Sequence, residues 1–257
     1  MTAFFERLSP TVFRATSMTE GAWDPEQMHV APGMALLVHA IEADRDARRD
    51  DRPGVTRVSV DILGPAPVAE VEVDVRVRRP GRTIELVEAA LRHDDRDVLL
   101  ARAWLQQEYD TSSIAGSPLP PIPGPDELEA GDAAGGWSGA FAHSLHLRCR
   151  ELEPGRGQFW LRSDTPLLEG ETTSPTAAAF RVIDVANGMS PLVPPTVASY
   201  PNLDLTVHLF RRPRDGWIGF DKTASIGAHG VGLTRSTLYD ADGPFGSAEQ
   251  VLTVRMR

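Results

Sequence analysis

The sequence predicts an α+β protein in which one unit occurs twice, each copy a curled antiparallel sheet wrapped around a long central helix. Three observations lead there. The order of elements repeats, a helix-like stretch followed by four strand-like runs, with an offset of 147 residues as between Leu86 and Leu233 or Ala31 and Ala178. The strand runs alternate: Val71, Val73, Val75 and Val77 interleave with Glu70, Glu72, Asp74 and Arg76, a period of two that gives one buried and one wet face. The helix of the second copy is apolar nearly all round, with Ala177, Ala178, Phe180, Val182, Ile183, Val185 and Ala186, and a helix of that kind is buried.

In chain order, Thr11 to Thr16 opens the first repeat as a strand. The first helix covers Pro32 to Glu42, and proline is favoured in a first turn because its missing N–H has no partner there anyway. Strand runs follow at Val55 to Leu63, Val68 to Val77, Thr83 to Arg92 and Val98 to Gln107, with a hairpin signal at Arg79-Pro80-Gly81. The first repeat thus occupies residues 1–110. Residues 111–137, rich in Pro, Gly, Ser and Asp and without periodicity, read as a linker. The second repeat, 138–257, opens with an alternating run from Phe141 to Arg150. Ser174 caps a helix from Pro175 to Asn187. Strands follow at Leu203 to Phe210, Gly216 to Ser225, Gly232 to Tyr239 and Pro244 to Arg255, with a turn at Asp240-Ala241-Asp242-Gly243. Doubling such a unit gives, most simply, one extended sheet.

Composition narrows the function. The chain has 257 residues, 41% hydrophobic and 24% charged, an ordinary globular balance. The net charge of −10 argues against a nucleic-acid partner, whose phosphates need a basic face. The one cysteine, Cys149, excludes an intramolecular disulfide, and no Cys/His cluster has metal-ligand spacing, so no metal is expected. The N-terminus lacks the basic and apolar regions of a signal peptide, and no apolar run reaches membrane-spanning length. A cytoplasmic protein without a membrane partner is expected. Sheet edges and faces that partners tend to cover favour a homo-oligomer.

Gly21-Ala22-Trp23-Asp24-Pro25 and Gln27-Met28-His29 before the first helix resemble the opening of thioesterase-like hotdog proteins. Asn202-Leu203-Asp204-Leu205-Thr206-Val207-His208 and Ser247-Ala248-Glu249-Gln250 resemble segments of double-hotdog acyl-CoA thioesterases of the bacterial thioesterase II type. The resemblance covers nearly the whole chain in element order. It implies hydrolysis of an acyl-CoA thioester by a water that no covalent intermediate precedes. In that family an Asp at the start of a central strand, a Ser/Thr on the next strand and a Gln on the last hold the water. Carried over, these are Asp204, Ser225 or Thr223, and Gln250. The two hydroxyl candidates share a strand face. The types suit the chemistry: a carboxylate takes a proton from water, while a hydroxyl and an amide oxygen accept its hydrogens and aim its lone pair. Backbone N–H groups at the start of the first helix, around Gly33, would bind the developing oxyanion. The acyl-CoA is the partner and no cofactor is implied, CoA being part of the substrate.

The sequence departs from the resemblance where His-Gly-Gly is usual, having His29-Val30-Ala31 followed by Pro32, which has no N–H. That motivates a second reading, a non-catalytic acyl-thioester binding protein on the same fold. In the first repeat the position matching Asp204 is Arg57, and that matching Gln250 is near Trp104, so at most one catalytic set per chain is expected, in the second repeat. Arg211 and Arg212 are candidates for CoA phosphates, against a solvated strand-end rim. Asp204 and His208 are four apart, not the five of a hotdog hydratase, which disfavours that class. Cys149 lies on the apolar side of its strand and reads as core filler.

Overall fold

A computed structural model describes residues 2–22, 24–135 and 138–257. Trp23 of the Gly21–Pro25 motif, and Gly136 and Trp137 at the end of the expected linker, lie outside the described residues. The strands are β1 (Phe5–Arg7), β2 (Val12–Ala15), β3 (Gly54–Ile62), β4 (Glu70–Arg79), β5 (Ile84–His93), β6 (Arg96–Gln106), β7 (Glu129–Gly131), β8 (Leu145–Glu153), β9 (Arg156–Ser163), β10 (Ala198–Ser199), β11 (Asp204–Leu209), β12 (Ile218–Ile226), β13 (Val231–Asp240), β14 (Gly243–Thr253) and β15 (Arg255–Met256). The helices are α1 (Val30–Arg48), α2 (Ala140–His143) and α3 (Pro175–Ile183).

Thirteen strands form one antiparallel sheet in the order β1-β2-β4-β5-β6-β3-β11-β14-β13-β12-β9-β8-β7, and β10 pairs β15 apart from it. The order in one half mirrors the other about the β3–β11 seam, where Asp61 to Arg57 pair with Asp204 to His208. The architecture is therefore the α+β double unit expected: β5 and β13, and β6 and β14, recur at the same 147-residue offset as Leu86 and Leu233. α1 packs on β4, β5 and β6, α3 packs on β9 and β12, and the two helices pack on each other.

Sequence chemistry explains the elements. On β4, Val71 and Val73 are buried while Glu70 and Glu72 are exposed. α1 runs on to Arg48, beyond the expected Glu42, because its last turns carry their own ion pairs. Arg48 reaches Asp44 and Glu85, both at 2.7 Å, and Arg45 reaches Asp46 at 2.7 Å. Such cations also suit a helix C-terminus. Ser174 caps α3, its Oγ accepting the Ala177 N–H at 3.1 Å. The same hydroxyl donates to Glu42 Oε2, which ties the start of α3 to α1. Gly243, at φ 103°, takes the left-handed position of the β13–β14 turn that an L side chain adopts only under strain.

The structure departs from expectation in three places. Phe141, expected in a strand, sits in the single turn α2, stacked on His29 with ring centroids 4.1 Å apart, and the strand begins at Leu145. The helix expected through Asn187 ends at Ile183 and tightens into a 3-10 turn over Asp184–Asn187. The described part of the expected linker, 111–135, is fastened down: Trp160 Nε1 donates to Pro123 O at 2.8 Å and Tyr239 OH donates to Pro120 O at 2.9 Å, with Leu128 buried in one cluster with those rings and β7 added to the sheet edge. Among the described residues five strands went unanticipated: β7, β10 and β15, each of two or three residues, and two others. β9 is flanked on both sides, and its Phe159-Trp160-Leu161 run is buried without alternation. β1 is three residues long.

Candidate active site

The apolar second helix carries one acid, Asp184, at its tightened end. The 3-10 turn swings it under the sheet, where it is only 2% exposed. A lone buried carboxylate is costly unless hydrogen-bonded, and two amides meet it. Asn202 Nδ2 donates to Asp184 Oδ1 at 2.7 Å. Gln250 Nε2 donates to the same oxygen at 3.0 Å and to the Asp184 carbonyl at 2.9 Å. Asn187 Nδ2 donates to Asn202 Oδ1 at 3.3 Å, which fixes that amide's orientation.

Each partner is delivered by its element. On β14 the period of two turns Ala248, Gln250 and Leu252 inward, so Gln250 is 1% exposed. Asn202 sits just ahead of β11, its Nδ2 also reaching the Asp204 carbonyl at 3.1 Å. Gln250 Oε1 is buried with no hydrogen-bond partner among the described residues.

Burial pushes the Asp184 carboxyl up to about 6, and the nearby Asp204 charge adds to the rise, while the hydrogen bonds from Asn202 and Gln250 oppose it. Asp184 lines a cavity of about 180 Å³ together with Asn187 and Asn202 from the second repeat and Met28, His29 and Val30 from the first. His29 is the N-cap of α1, its Nδ1 accepting the Ala31 N–H at 3.2 Å. Burial lowers its pKa to about 4, so the ring is neutral near pH 7. The start of α1 therefore faces the cavity with one orphan donor. The Val30 N–H has no intrahelical acceptor, Ala31 is spent on His29, and Pro32 has none.

The residues expected from sequence fall differently. Gln250 lies in the cluster. Asp204 starts β11 beside it, but its Oδ1 accepts the Val251 N–H at 2.7 Å, capping the strand start. Ser225 and Thr223 do not join them. Both lie exposed on the outward face of β12, in register with Leu233 and Arg235, while Ala224 takes the inward place opposite Thr234 and hence Gln250. A strand has one inward residue in two, so neither hydroxyl can turn in without a register slip. Gly33 is not among the residues that line the cavity. It stands inside α1, where its N–H is committed to the helix, and a Cβ there would come within 2.9 Å of Leu99 Cδ1, so packing accounts for the glycine.

Arg211 is engaged within the fold. Its guanidinium grips Asp240 through two bonds of 2.6 Å and donates to the Gly243 carbonyl at 2.7 Å. Arg212 pairs with Glu108 at 2.5 Å. Both follow the far end of β11, whose last residue Leu209 lies about 17 Å from Asp204 at roughly 3.3 Å per strand residue.

Sequence reading passed over Asp184 and Asn202. Their signals were present: an acid interrupting Val182-Ile183 and Val185-Ala186, and an Asn directly ahead of the strand expected from Leu203. Among the described residues no group of three His, Cys, Asp or Glu is placed to hold a metal ion, and no helix is long and apolar enough to cross a membrane.

Comparison with known families matches an acyl-CoA thioesterase C-terminal domain over residues 117–254 and an acyl-CoA thioesterase N-terminal domain over 19–106. Among curated proteins, none matches the sequence. Among solved structures, a conserved hot-dog-fold protein of unknown function from Alicyclobacillus acidocaldarius superposes with a TM-score of 0.74 at 16% identity, covering 97% of this chain and 95% of its own. The acyl-CoA thioesterase II TesB2 from Mycobacterium marinum does so with a TM-score of 0.67 at 16% identity, covering 98% and 96%. The tesB protein of Mycobacterium avium subspecies paratuberculosis gives 0.67 at 17% identity, again covering 98% and 96%. At such identities the likeness is one of fold.

Proposed function

The chain belongs to the acyl-CoA thioesterase family whose N- and C-terminal domains it matches, and on that premise we propose that it hydrolyses acyl-CoA to free acid and CoA with Asp184 as the general base. One observation carries the assignment. A buried carboxylate at the wall of the cavity is held on one oxygen by two amides, with its pKa raised to about 6. Such a group is largely ionised at pH 7 yet basic enough to take a proton from water.

The attacking water is held between Asp184 and the unpartnered Gln250 Oε1, which accepts one of its hydrogens. As the water oxygen bonds to the thioester carbon, its other proton passes to Asp184. The carbonyl electrons move onto the carbonyl oxygen, where the Val30 N–H and the α1 dipole stabilise the charge. Collapse breaks the C–S bond, and the departing CoA sulfur takes the proton back from Asp184. Asn202, just ahead of β11, supplies the second amide of the cluster. It holds Asp184 by its amide nitrogen and is itself held by Asn187.

Thiol release from acyl-CoAs of rising chain length tests the proposal, comparing wild type with Asp184→Asn and Asp204→Asn. Collapse in the Asp184 variant alone supports it. Full turnover in Asp184→Asn would overturn it.

A further inference from the structure

Three cavities adjoin in series. The first is the 180 Å³ cavity of Asp184. The second, of about 40 Å³, shares Ala22, His29 and Asn187 with it and is otherwise walled mainly by apolar side chains, among them Phe141, Ala142, Leu145 and Val185. The third, of about 280 Å³, shares Ala133, Gly188 and Met189 with the second and is lined by Leu147, Cys149 and Phe159. The inward residues of β8 run beneath the last two, Leu145 under the second and Leu147 and Cys149 under the third. From Leu145 to Cys149 is about 13 Å at roughly 3.3 Å per residue.

We propose that these cavities form the acyl channel, with the second as a neck that admits only an unbranched chain and the third as the chamber where the chain's end lies against Cys149. The inference rests on the thioesterase reading, since it needs the thioester at Asp184. The middle cavity, about 40 Å³ against 180 and 280 Å³ on either side, is the constriction, and there a single-file polymethylene is sorted from a branch or ring. The 180 Å³ cavity exceeds the ~150 Å³ that accommodates benzene, so an aryl acyl group fits before the neck and stops there. The direction follows from charge. Asp132 and Glu151 line the third chamber and repel the phosphates of CoA, leaving it to hydrocarbon. Hydrocarbon buried along such walls leaves water, which favours long chains over short ones.

Cys149, the sole cysteine, reports on the chamber directly. The non-hydrolysable thioethers dodecyl-CoA and butyl-CoA are each added at saturation, with binding followed by inhibition of butanoyl-CoA turnover. Alkylation of Cys149 by iodoacetamide is then timed. Dodecyl-CoA is expected to slow alkylation at least tenfold and butyl-CoA to leave it unchanged. Ala142→Phe, which fills the neck, is expected to abolish the protection and to lower the ratio of dodecanoyl-CoA to butanoyl-CoA kcat/KM at least tenfold. Met189→Ala, which widens the neck, should raise relative turnover of a branched acyl-CoA. Dodecyl-CoA that inhibits yet leaves Cys149 unprotected would overturn the channel while the thioesterase reading stood. Absence of binding and turnover with every acyl-CoA would overturn both.

Discussion

Replacing Asp184 by Asn should make the protein more stable and less active at once. The carboxyl is 2% exposed and its pKa is lifted from 3.8 to about 6, chiefly by burial. A carboxyl whose pKa is higher folded than unfolded binds its proton more tightly in the folded state. Its favourable contribution is therefore complete below pH 3.8 and disappears as pH rises through about 6. The difference, at 1.36 kcal/mol per pKa unit, is about 3 kcal/mol of destabilisation at pH 7. Asn keeps an oxygen for the Asn202 and Gln250 donors without the charge. Asp184→Asn should thus gain up to about 3 kcal/mol at pH 7, or roughly 5 °C in Tm for a chain of 257 residues, and nearly nothing at pH 4. Loss of the base should lower kcat by about 10²–10⁴-fold. Thermal unfolding of both proteins from pH 4 to 8, beside thiol-release kinetics, measures both effects. A stability difference that does not change with pH would refute the burial argument, and retained turnover would refute the role.

The rest of the cluster makes separable predictions. In wild type kcat should rise with pH through about 6 as Asp184 ionises, with no limb from His29 between pH 5 and 8 because burial holds its pKa near 4; a flat profile over pH 5 to 7 would count against Asp184. Gln250→Leu removes a bond that lowers the Asp184 pKa, so the rising limb should move to higher pH and kcat fall at least tenfold at pH 7; an unmoved limb would detach Gln250 from the base. Asp204→Asn removes a charge that raises the Asp184 pKa while keeping an acceptor for Val251, so the limb should move to lower pH with kcat within a few-fold at pH 7. A collapse there would return the chemistry to Asp204. Arg211→Met leaves the Asp240 carboxylate, 1% exposed on its side chain, without its cation, and should cost about 3–5 kcal/mol in urea unfolding while KM for acyl-CoA stays put; a large rise in KM would restore a phosphate role.

Much of the fold was legible in the linear pattern, because alternation and helix periodicity are local records of which side chains meet the core. Val71 and Val73 declare a half-buried strand wherever it pairs. The 147-residue recurrence declares two copies whatever their contacts, and Ser174 before Pro175 declares a helix start. Gln250 was legible too, through family resemblance.

Asp184 and Asn202 were not, for Asp184 acquires meaning only by meeting Gln250 across 66 residues of chain and Asn202 across 18. Whether the helix ends at Ile183 or Asn187 is a choice of one turn, and contacts with β12 and β13 together with the Gln250 bond to the Asp184 carbonyl make it. Whether Ser225 or Ala224 faces inward depends on one residue of register, which alternation leaves open and pairing with β13 decides. The sequence by itself determined the double unit, its helices and most of its strands, since these follow from short-range periodicity. The tertiary structure alone decided which acid loses its water and gains two amide donors, because desolvation and hydrogen bonding belong to neighbours in space rather than along the chain.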